Sequence, residues 1–271
     1  MDIIKQQKMN CRVVATYFGP RRGHGGSNIN SLTGEDAVRL LTELVEYETT
    51  ISSGTKKDTI IVNHDFGHKR GREFLKEIDG TKTKDGKIIT LNRDWNNGVG
   101  ESYGSFNYAF EKLKDKYDYW FFSEDDYHLV EPNYFSSMIK QLDENDDVAF
   151  IGGCRYDHEV EGYDIKSTSG GHDPHAHGGL GCTHKKYLQE VVDKMKHLPH
   201  PQMPMTDEMQ QCIFEARLDA FDSDYAHQWY RNNELNGEVM FTNIYCKLGY
   251  KLQITNHPKP CVLDVRGNKL T

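Results

Sequence analysis

Closely spaced cysteine pairs are missing from this sequence. Its 271 residues include six cysteines, but no Cys-x-x-Cys motif occurs and the cysteines are spread along the chain, at Cys11, Cys154, Cys182, Cys212, Cys246 and Cys261. A disulfide framework or a cysteine-rich zinc module needs several cysteines close together. We therefore expect mostly reduced, buried thiols, as is typical of a cytosol-like compartment.

Long apolar runs and an excess of positive charge are also missing. No stretch reaches the roughly 18 apolar residues of a membrane helix, and the opening MDIIKQQKMN has no apolar core of signal-peptide length. Because the formal net charge is −8, we expect no broad electrostatic attraction to nucleic acid. These features predict no membrane span, no nucleic-acid partner and a cytoplasmic location, in a bacterium or in a cell infected by a phage or a large virus.

Strand-like and helix-like apolar spacings alternate along the chain. The pattern predicts strands at 11–17, 59–63, 87–91, 117–122, 148–151 and 250–255, and helices at 35–51, 100–114, 185–196, 207–218, 238–248 and after Pro132. Such alternation is typical of a mainly parallel sheet flanked by helices. No domain boundary is apparent, so we predict a single α/β domain with a Rossmann-like sheet.

An aromatic strand leads directly into three adjacent carboxylates, Glu124, Asp125 and Asp126. Ligands of open α/β sheets bind outside the carboxyl ends of the strands. Mg²⁺ and Mn²⁺ prefer oxygen ligands and commonly bind through one or two carboxylates together with substrate phosphates. The cluster therefore predicts a Mn²⁺ or Mg²⁺ site, and the simpler alternative is a solvated acidic turn that ends the strand.

Three histidines in the loop predicted at 152–177 permit a second interpretation. His172, His175 and His177 have a spacing that could bind zinc or iron. In that case the chain would be a metal-dependent hydrolase, with one of the carboxylates at 124–126 activating water. A non-catalytic sugar-binding protein is the third alternative, although carboxylates are costly to retain without partners.

The segment 121–135, FFSEDDYHLVEPNYF, resembles the metal-binding "DxD" segment of GT-A glycosyltransferases. It is most similar to the EDD variant of the N-acetylglucosaminyltransferases that begin complex N-glycan branches. The resemblance implies a GT-A fold and a donor that is a nucleotide diphosphate sugar, UDP- or GDP-linked. It also implies that Asp126 contacts the metal and that Glu124 and Asp125 hold the ribose or sugar side of the donor.

Other segments are similar to parts of family-2-like glycosyltransferases. In that family the first half of the domain, here about 10–152, binds the nucleotide sugar. The resemblance places donor contacts at the end of the first strand, after the second strand, and in the Asn/Gly-rich segment 92–107, where this chain has extra residues between Gly98 and Asn107. The corresponding residues are Thr16, Tyr17, Asp65, Arg93 and Asn107.

The second half, about 153–271, is similar to the acceptor-binding part of the family. Gly179, Leu180 and Gly181 lie in a Gly-rich segment that resembles the acceptor side. The segment 236–252 resembles an acidic helix start whose carboxylate is the general base of inverting enzymes, which implies that role for Glu238. Asp207 and Glu208 are the competing bases. The resemblance also implies that His257 is a further metal ligand.

We therefore predict an enzyme that transfers a sugar from a nucleotide diphosphate sugar to a hydroxyl of a glycan acceptor. Transfer is expected to invert the anomeric carbon and to depend on Mn²⁺ or Mg²⁺. The metal-dependent hydrolase and the non-catalytic sugar-binding protein remain the alternatives.

Overall fold

The computed structural model describes residues 9–18, 34–64, 69–93, 101–153, 160–161, 164–165, 180–200, 240–258, 262–263 and 269–270. The strands are β1 (Asn10–Thr16), β2 (Lys57–Asn63), β3 (Ile88–Asn92), β4 (Tyr119–Glu124), β5 (His128–Leu129), β6 (Val148–Gly152), β7 (Val160–Glu161), β8 (Asp164–Ile165), β9 (Leu180–His184), β10 (Lys251–Ile254), β11 (Val262–Leu263) and β12 (Lys269–Leu270). The helices are α1 (Gly34–Thr50), α2 (Lys69–Ile78), α3 (Glu101–Leu113), α4 (Tyr134–Asp143), α5 (Lys185–Met195) and a helix called α6 here (Met240–Lys247).

Seven strands form the main sheet, in the order β10-β6-β9-β4-β1-β2-β3. β9 is antiparallel to both of its neighbours, and the other neighbouring strands are parallel. Two small sheets, β12-β11-β5 and β7-β8, complete the described strands. The predicted single α/β domain with a mainly parallel, Rossmann-like sheet flanked by helices is confirmed.

The direction of strand addition reverses between β1 and β4. The chain first moves outward from β1 to β2 and β3, and then returns to place β4 on the other side of β1. β1 is therefore parallel to a partner on each side, β2 and β4. In open α/β sheets such a switch point leaves a crevice outside the carboxyl ends of the two strands, because their connections leave in opposite directions.

Aromatic side chains of β4 anchor both faces of the sheet. Trp120 and Phe122 belong to the apolar cluster that contains α3 and α6, whereas Phe121 packs against Tyr134 and Phe135 of α4. α1 and α2 cover the same side as α4, over β1 and β2. Since β4 is buried on both faces, a continuous aromatic run is the pattern that a central strand requires.

Two cysteines lie within this core. Cys11 of β1 and Cys182 of β9 are free thiols that are fully buried. Burial raises the pKa of both thiols well above the ordinary value. For these two residues, the structure agrees with the prediction of buried, reduced thiols.

The structure differs from the predicted elements at several points. α2 was not predicted, and residues 180–184, expected as a Gly-rich segment, form strand β9. Pro132 does not occupy the first turn of α4, because the helix begins at Tyr134 after a left-handed N-cap at Asn133. The helix predicted at 207–218 lies outside the described residues. In the described part of the chain, no helix is long and apolar enough to cross a membrane.

Candidate functional site

Most of the predicted site residues within the described ranges lie at one edge of the sheet. Since β3, β2, β1, β4, β6 and β10 run in the same direction, their carboxyl ends share this edge. β9 runs the other way, so its first residue, Leu180, lies at the same edge, opposite Ser123. We call it the carboxyl edge. The carboxylates 124–126 are at its centre, beside the switch point.

The carboxylates form a tight turn, here called the acid turn (residues 124–127). The Tyr127 N–H donates to the Glu124 carbonyl at 3.3 Å. Asp125 is fully buried, and its Oδ2 accepts a hydrogen bond of 2.6 Å from Thr16 Oγ1. Its N–H also donates to the Ala15 carbonyl at 3.1 Å. The acid turn is thereby bonded to the end of β1 across the switch point.

Glu124 is held from another direction by the first turn of α3. Ser102 Oγ donates to Glu124 Oε1 at 2.5 Å. A helix N-terminus favours a carboxylate because the helix dipole is positive there. Residues 100–104 also fit the Gly-x-Ser-x-Gly spacing of serine hydrolases. The hydroxyl of Ser102 donates to a carboxylate here, whereas a nucleophilic serine would donate to a histidine base.

The carboxylate oxygens of the acid turn are suitable ligands for a hard divalent cation. Asp125 and Glu124 each have one oxygen occupied by a hydroxyl donor, and Asp126 is 7% exposed. Mg²⁺ and Mn²⁺ usually take one or two carboxylates and complete their shell with water and phosphate oxygens. Among the described residues, no group of three or more His, Cys, Asp or Glu side chains is arranged to hold a metal. An ion of this kind at the turn would be shared between the protein and a ligand.

Arg12 lies beneath the acid turn, and sequence reasoning missed it. This residue of β1 is fully buried, and its guanidinium donates to Ser123 Oγ at 2.9 Å, to the Tyr127 carbonyl at 2.9 Å and to Glu48 Oε1 at 2.8 Å. The signal in the sequence was a lone arginine within the apolar strand NCRVVAT. A buried charge of this kind must be paired.

Glu48 of α1 is the counter-ion of Arg12. It also accepts hydrogen bonds from Lys57 and Thr59, both on β2. Burial alone would raise the pKa of Glu48, but Lys57 and Arg12 lower it to about 2. The carboxylate is therefore ionised at neutral pH, and it balances one of the two buried cations.

A stacked pair of rings lies at the ends of β1 and β2. The Tyr17 and His64 rings are nearly parallel, with an interplanar angle of 7° and centroids 5.0 Å apart. The Ser105 hydroxyl lies 3.3 Å from His64 Nδ1 and accepts from Arg93 Nη1 at 3.4 Å. Because a guanidinium only donates, the Ser105 proton can point to His64 Nδ1, which then accepts.

Arg93 is fully enclosed at the end of β3. The side chain is 1% exposed, and burial lowers its pKa to about 10. A Cβ at Gly104 would lie 2.3 Å from Arg93 Nη1. The guanidinium therefore fits against α3 only because residue 104 has no side chain. Burial, followed by the charge of Arg93, lowers the pKa of His200 to about 4. The contact that we predicted between Arg93 and the nucleotide-sugar donor stays a prediction. The contacts of Arg93 that the structure shows are with other residues of the protein.

Asn107 of α3 connects this helix to the segment after α5. It is 6% exposed; its Oδ1 accepts from the Leu198 N–H at 2.8 Å, and its Nδ2 donates to Glu111 Oε1 at 3.0 Å. These contacts give the side chain a structural role. The predicted donor contact of Asn107 is not tested by them and stays a prediction.

Leu180 and Gly181 of β9 are part of the core. A Cβ at Gly181 would lie 2.3 Å from the Phe150 ring and 2.7 Å from the Ile151 carbonyl. Packing against β6 is therefore sufficient to explain this glycine, and a contact with the sugar acceptor is not needed to explain it. Acceptor binding at Leu180 and Gly181 stays a prediction, and Gly179 lies outside the described residues.

His257 follows β10 at the carboxyl edge. Its Nε2 lies 3.2 Å from the Pro132 carbonyl, and the Thr255 N–H donates to the Gly152 carbonyl at 2.8 Å. Gln141 of α4 holds the same segment, because its side-chain amide bonds to Gln253, Ile254 and Asn256. His257 thus shares the edge with Asp126, and metal binding by the two residues remains a prediction.

Several predicted site residues lie outside the described residues: Asp65, Asp207, Glu208, Glu238, His172, His175 and His177. The general base and the histidine loop therefore remain predictions from sequence. The predicted donor contacts other than Asp65, and the predicted metal ligands Asp126 and His257, lie within the described residues, and their roles likewise remain predictions.

No protein-family model matches the chain, and no curated protein matches it. One similar solved structure is a CMP:2-keto-3-deoxy-manno-octonic acid synthetase complexed with CTP, with a TM-score of 0.45 and 10% identity over 91% of this chain and 88% of that chain. Another is a 4-diphosphocytidyl-2C-methyl-D-erythritol synthase from Anaerococcus prevotii, with a TM-score of 0.39 and 12% identity over 89% of this chain and 96% of that chain. These likenesses are too remote to carry a functional argument.

Proposed function

We propose that this protein is a divalent-metal-dependent glycosyltransferase that moves a sugar from a UDP- or GDP-linked donor to a hydroxyl of a glycan acceptor. One observation carries the proposal: three carboxylates form a turn at the switch point of the sheet, and this turn is bonded to β1 through Thr16 and Asp125. The crevice beside a switch point is where open α/β sheets bind nucleotides.

The three carboxylates of the acid turn have different roles in the proposal. Asp125 and Glu124 are fixed by Thr16 and Ser102, and we assign these two residues to the ribose or sugar side of the donor. Asp126, which follows Asp125 in the turn and is 7% exposed, would hold Mn²⁺ or Mg²⁺ together with the diphosphate. Such an ion, when bound, offsets the negative charge that develops on the leaving diphosphate.

The acceptor hydroxyl needs a base on the opposite side of the donor sugar. We assign this role to Glu238, with Asp207 as the alternative. The base takes the hydroxyl proton as the oxygen bonds to the anomeric carbon and the bond from that carbon to the diphosphate breaks. Attack from the face opposite the leaving group inverts the configuration of that carbon.

Titration calorimetry of UDP and GDP, each with Mn²⁺ or with EDTA, tests the donor half of the proposal. We expect binding of one nucleotide that requires the metal. Asp126→Asn should weaken that binding at least tenfold, a loss of about 1.4 kcal/mol. Asp115→Asn is the control, because this carboxylate is 89% exposed and its contact is a 3.5 Å surface pair with Lys185; it should change nothing.

Incubation with the nucleotide sugar that is bound, followed by NMR of the product, tests the transfer. An inverted anomeric configuration would support the proposal, and a retained one would contradict the assigned base. Metal-independent binding, or equal effects of the two Asp→Asn changes, would contradict the role of Asp126. Stabilisation by Zn²⁺ alone, without any nucleotide effect, would favour the hydrolase with the histidine loop.

A further inference from the structure

Arg12 contacts the acid turn at both of its ends. Its Nε donates to Ser123 Oγ, immediately before the first carboxylate, and its Nη2 donates to the Tyr127 carbonyl, immediately after the last one, each at 2.9 Å. The carboxylates 124–126 therefore lie between two points that are fixed by the same planar group. Together with the Thr16 bond to Asp125, β1 holds the turn at three places.

Core packing alone does not explain an arginine at this position. Val14 and Ile61, which come next on the same face of β1 and β2, are apolar and belong to the cluster under α1 and α2, whereas Thr59, the β2 partner of Arg12, is polar. Burying a guanidinium is costly unless it is paired, and replacing buried ion pairs by apolar residues is often neutral or stabilising. An apolar residue would fill the site, but it would leave Ser123 and the Tyr127 carbonyl without these two donors.

The buried group around Arg12 contains more positive than negative charges. Glu48 is shared by two buried cations, Arg12 and Lys57. One carboxylate balances one cation, so the group of three retains one positive charge within the described contacts. This charge lies beneath a turn that carries three carboxylates, where it offsets part of their mutual repulsion.

We propose that Arg12 is a positioning residue that holds the acid turn in its ligand-binding shape through its bonds to Ser123 and to the Tyr127 carbonyl. The role rests on the proposed function, because the turn is taken to bind a metal and a nucleotide. Arg12 itself touches neither ligand. Its planar fork supplies several donors in fixed directions, which a lysine ammonium on a flexible stem cannot reproduce.

Arg12→Lys and Lys57→Met form a matched pair for the test. Each variant alters one of the two cations that contact Glu48, and only Arg12 also contacts the acid turn. We expect Arg12→Lys to weaken Mn²⁺-dependent nucleotide binding about tenfold and to raise the apparent KM for Mn²⁺ more than it lowers kcat. Lys57→Met should lower the melting temperature, with nucleotide binding at saturating Mn²⁺ unchanged within about twofold, because its contacts lie on β2 and α1.

Hydrogen exchange provides a readout that does not depend on activity. In the unliganded protein, we expect peptides covering 123–129 to exchange faster in Arg12→Lys than in the unchanged chain, and to be unaffected in Lys57→Met. Ser123→Ala removes one of the two acceptors through which Arg12 holds the acid turn and should reproduce the local effect. This variant keeps the proposal falsifiable if Arg12→Lys does not fold.

Two results would overturn the positioning role. One is equal loss of nucleotide binding in Arg12→Lys and Lys57→Met, which would indicate a general loss of stability. The other is unchanged exchange at 123–129 in both Arg12→Lys and Ser123→Ala. If the unchanged chain binds no nucleotide with Mn²⁺, the proposed function fails, whereas the exchange result still decides whether Arg12 holds the turn.

Discussion

At the scale of single residues, buried charges connect the site to the stability of the fold. Glu48 is ionised among Arg12, Lys57 and Thr59, and its pKa is lowered to about 2. In the unfolded chain this carboxyl has its ordinary pKa, about 4.5. The unfolded state therefore binds more protons between these two values, so the stabilisation from Glu48 is complete above about pH 4.5 and is lost as the pH falls toward 2.

Urea unfolding between pH 6 and pH 2.5 tests this linkage. We expect the free energy of unfolding to fall on acidification below pH 4.5, with a contribution from Glu48 of up to about 1.4 kcal/mol per pH unit. Glu48→Gln should be less stable at pH 6 and should show a shallower decline below pH 4.5. Burial lowers the pKa of His200 from its ordinary 6.5 to about 4. Because the unfolded state binds more protons between these two values, the contribution of His200 to stability is lost as the pH falls from about 6.5 to 4.

Glu144→Gln is the control for the same series. Its carboxylate is 59% exposed and lies 3.7 Å from Lys140 in a surface pair, which contributes little to stability. The variant should keep the slope of the unchanged chain. Identical slopes for Glu48→Gln and the unchanged chain below pH 4.5 would show that Glu48 is not the titrating group.

At the scale of elements, α3 shows how a buried arginine constrains a helix. Gly104 is the fourth residue of this helix, and within a helix glycine is less favourable than alanine by up to about 1 kcal/mol. Propensity therefore predicts that Gly104→Ala stabilises the protein. Packing predicts the opposite, because the new Cβ would lie 2.3 Å from Arg93 Nη1 and 2.9 Å from Arg93 Cζ. Since Arg93 is enclosed, we expect the clash to dominate.

A double-mutant cycle separates the two effects. Gly104→Ala should lower the free energy of unfolding by about 1–3 kcal/mol in the unchanged background. In the Arg93→Met background the same change should cost less or become favourable, because methionine adapts its shape. Denaturant unfolding of the four proteins gives the coupling energy. Equal costs of Gly104→Ala in both backgrounds would show that Arg93 does not occupy the space beside this glycine.

The elements of the sheet were largely predictable from sequence, and the contacts between them were not. β1, β2, β3, β4, β6 and β10 each have a run of apolar residues whose spacing and flanking polar residues indicate a strand. β9 was missed because LGCTH is short and rich in small residues, and its glycine is explained only by Phe150 on the neighbouring strand. Spacing along the chain carries no information about such a partner.

The same limit applies to the site. Glu124, Asp125 and Asp126 could be predicted because they are adjacent in sequence and follow an aromatic strand. Arg12 contacts Ser123 and Tyr127 across more than a hundred residues of sequence, so its role depends on the strand order that places β1 beside β4. Arg93 and Asn107 were predicted as site residues, and the structure shows their contacts within the protein.

At the scale of the whole molecule, two thiols report on the opening of the main sheet. Cys11 and Cys182 are fully buried on β1 and β9, whereas Cys246 of α6 is half-buried. A thiol reacts as the thiolate and must be exposed to do so. Among these three cysteines, labelling with a thiol reagent, followed by peptide mass spectrometry, should therefore modify Cys246 first, and Cys11 and Cys182 together at the rate of global opening. Labelling of Cys182 as fast as Cys246 would show that β9 opens independently.

The position of β1 inside the sheet, between β4 and β2, has a consequence for synthesis on the ribosome. β1 is made before any of its partners, and the hydrogen bond from Thr16 to Asp125 joins residues 109 positions apart. At about 5–20 residues per second, a nascent chain exposes Thr16 for roughly 5 to 20 s before Asp125 has been added. During this interval β1 carries the positive charge of Arg12. A charge within an apolar strand disfavours its pairing with another chain.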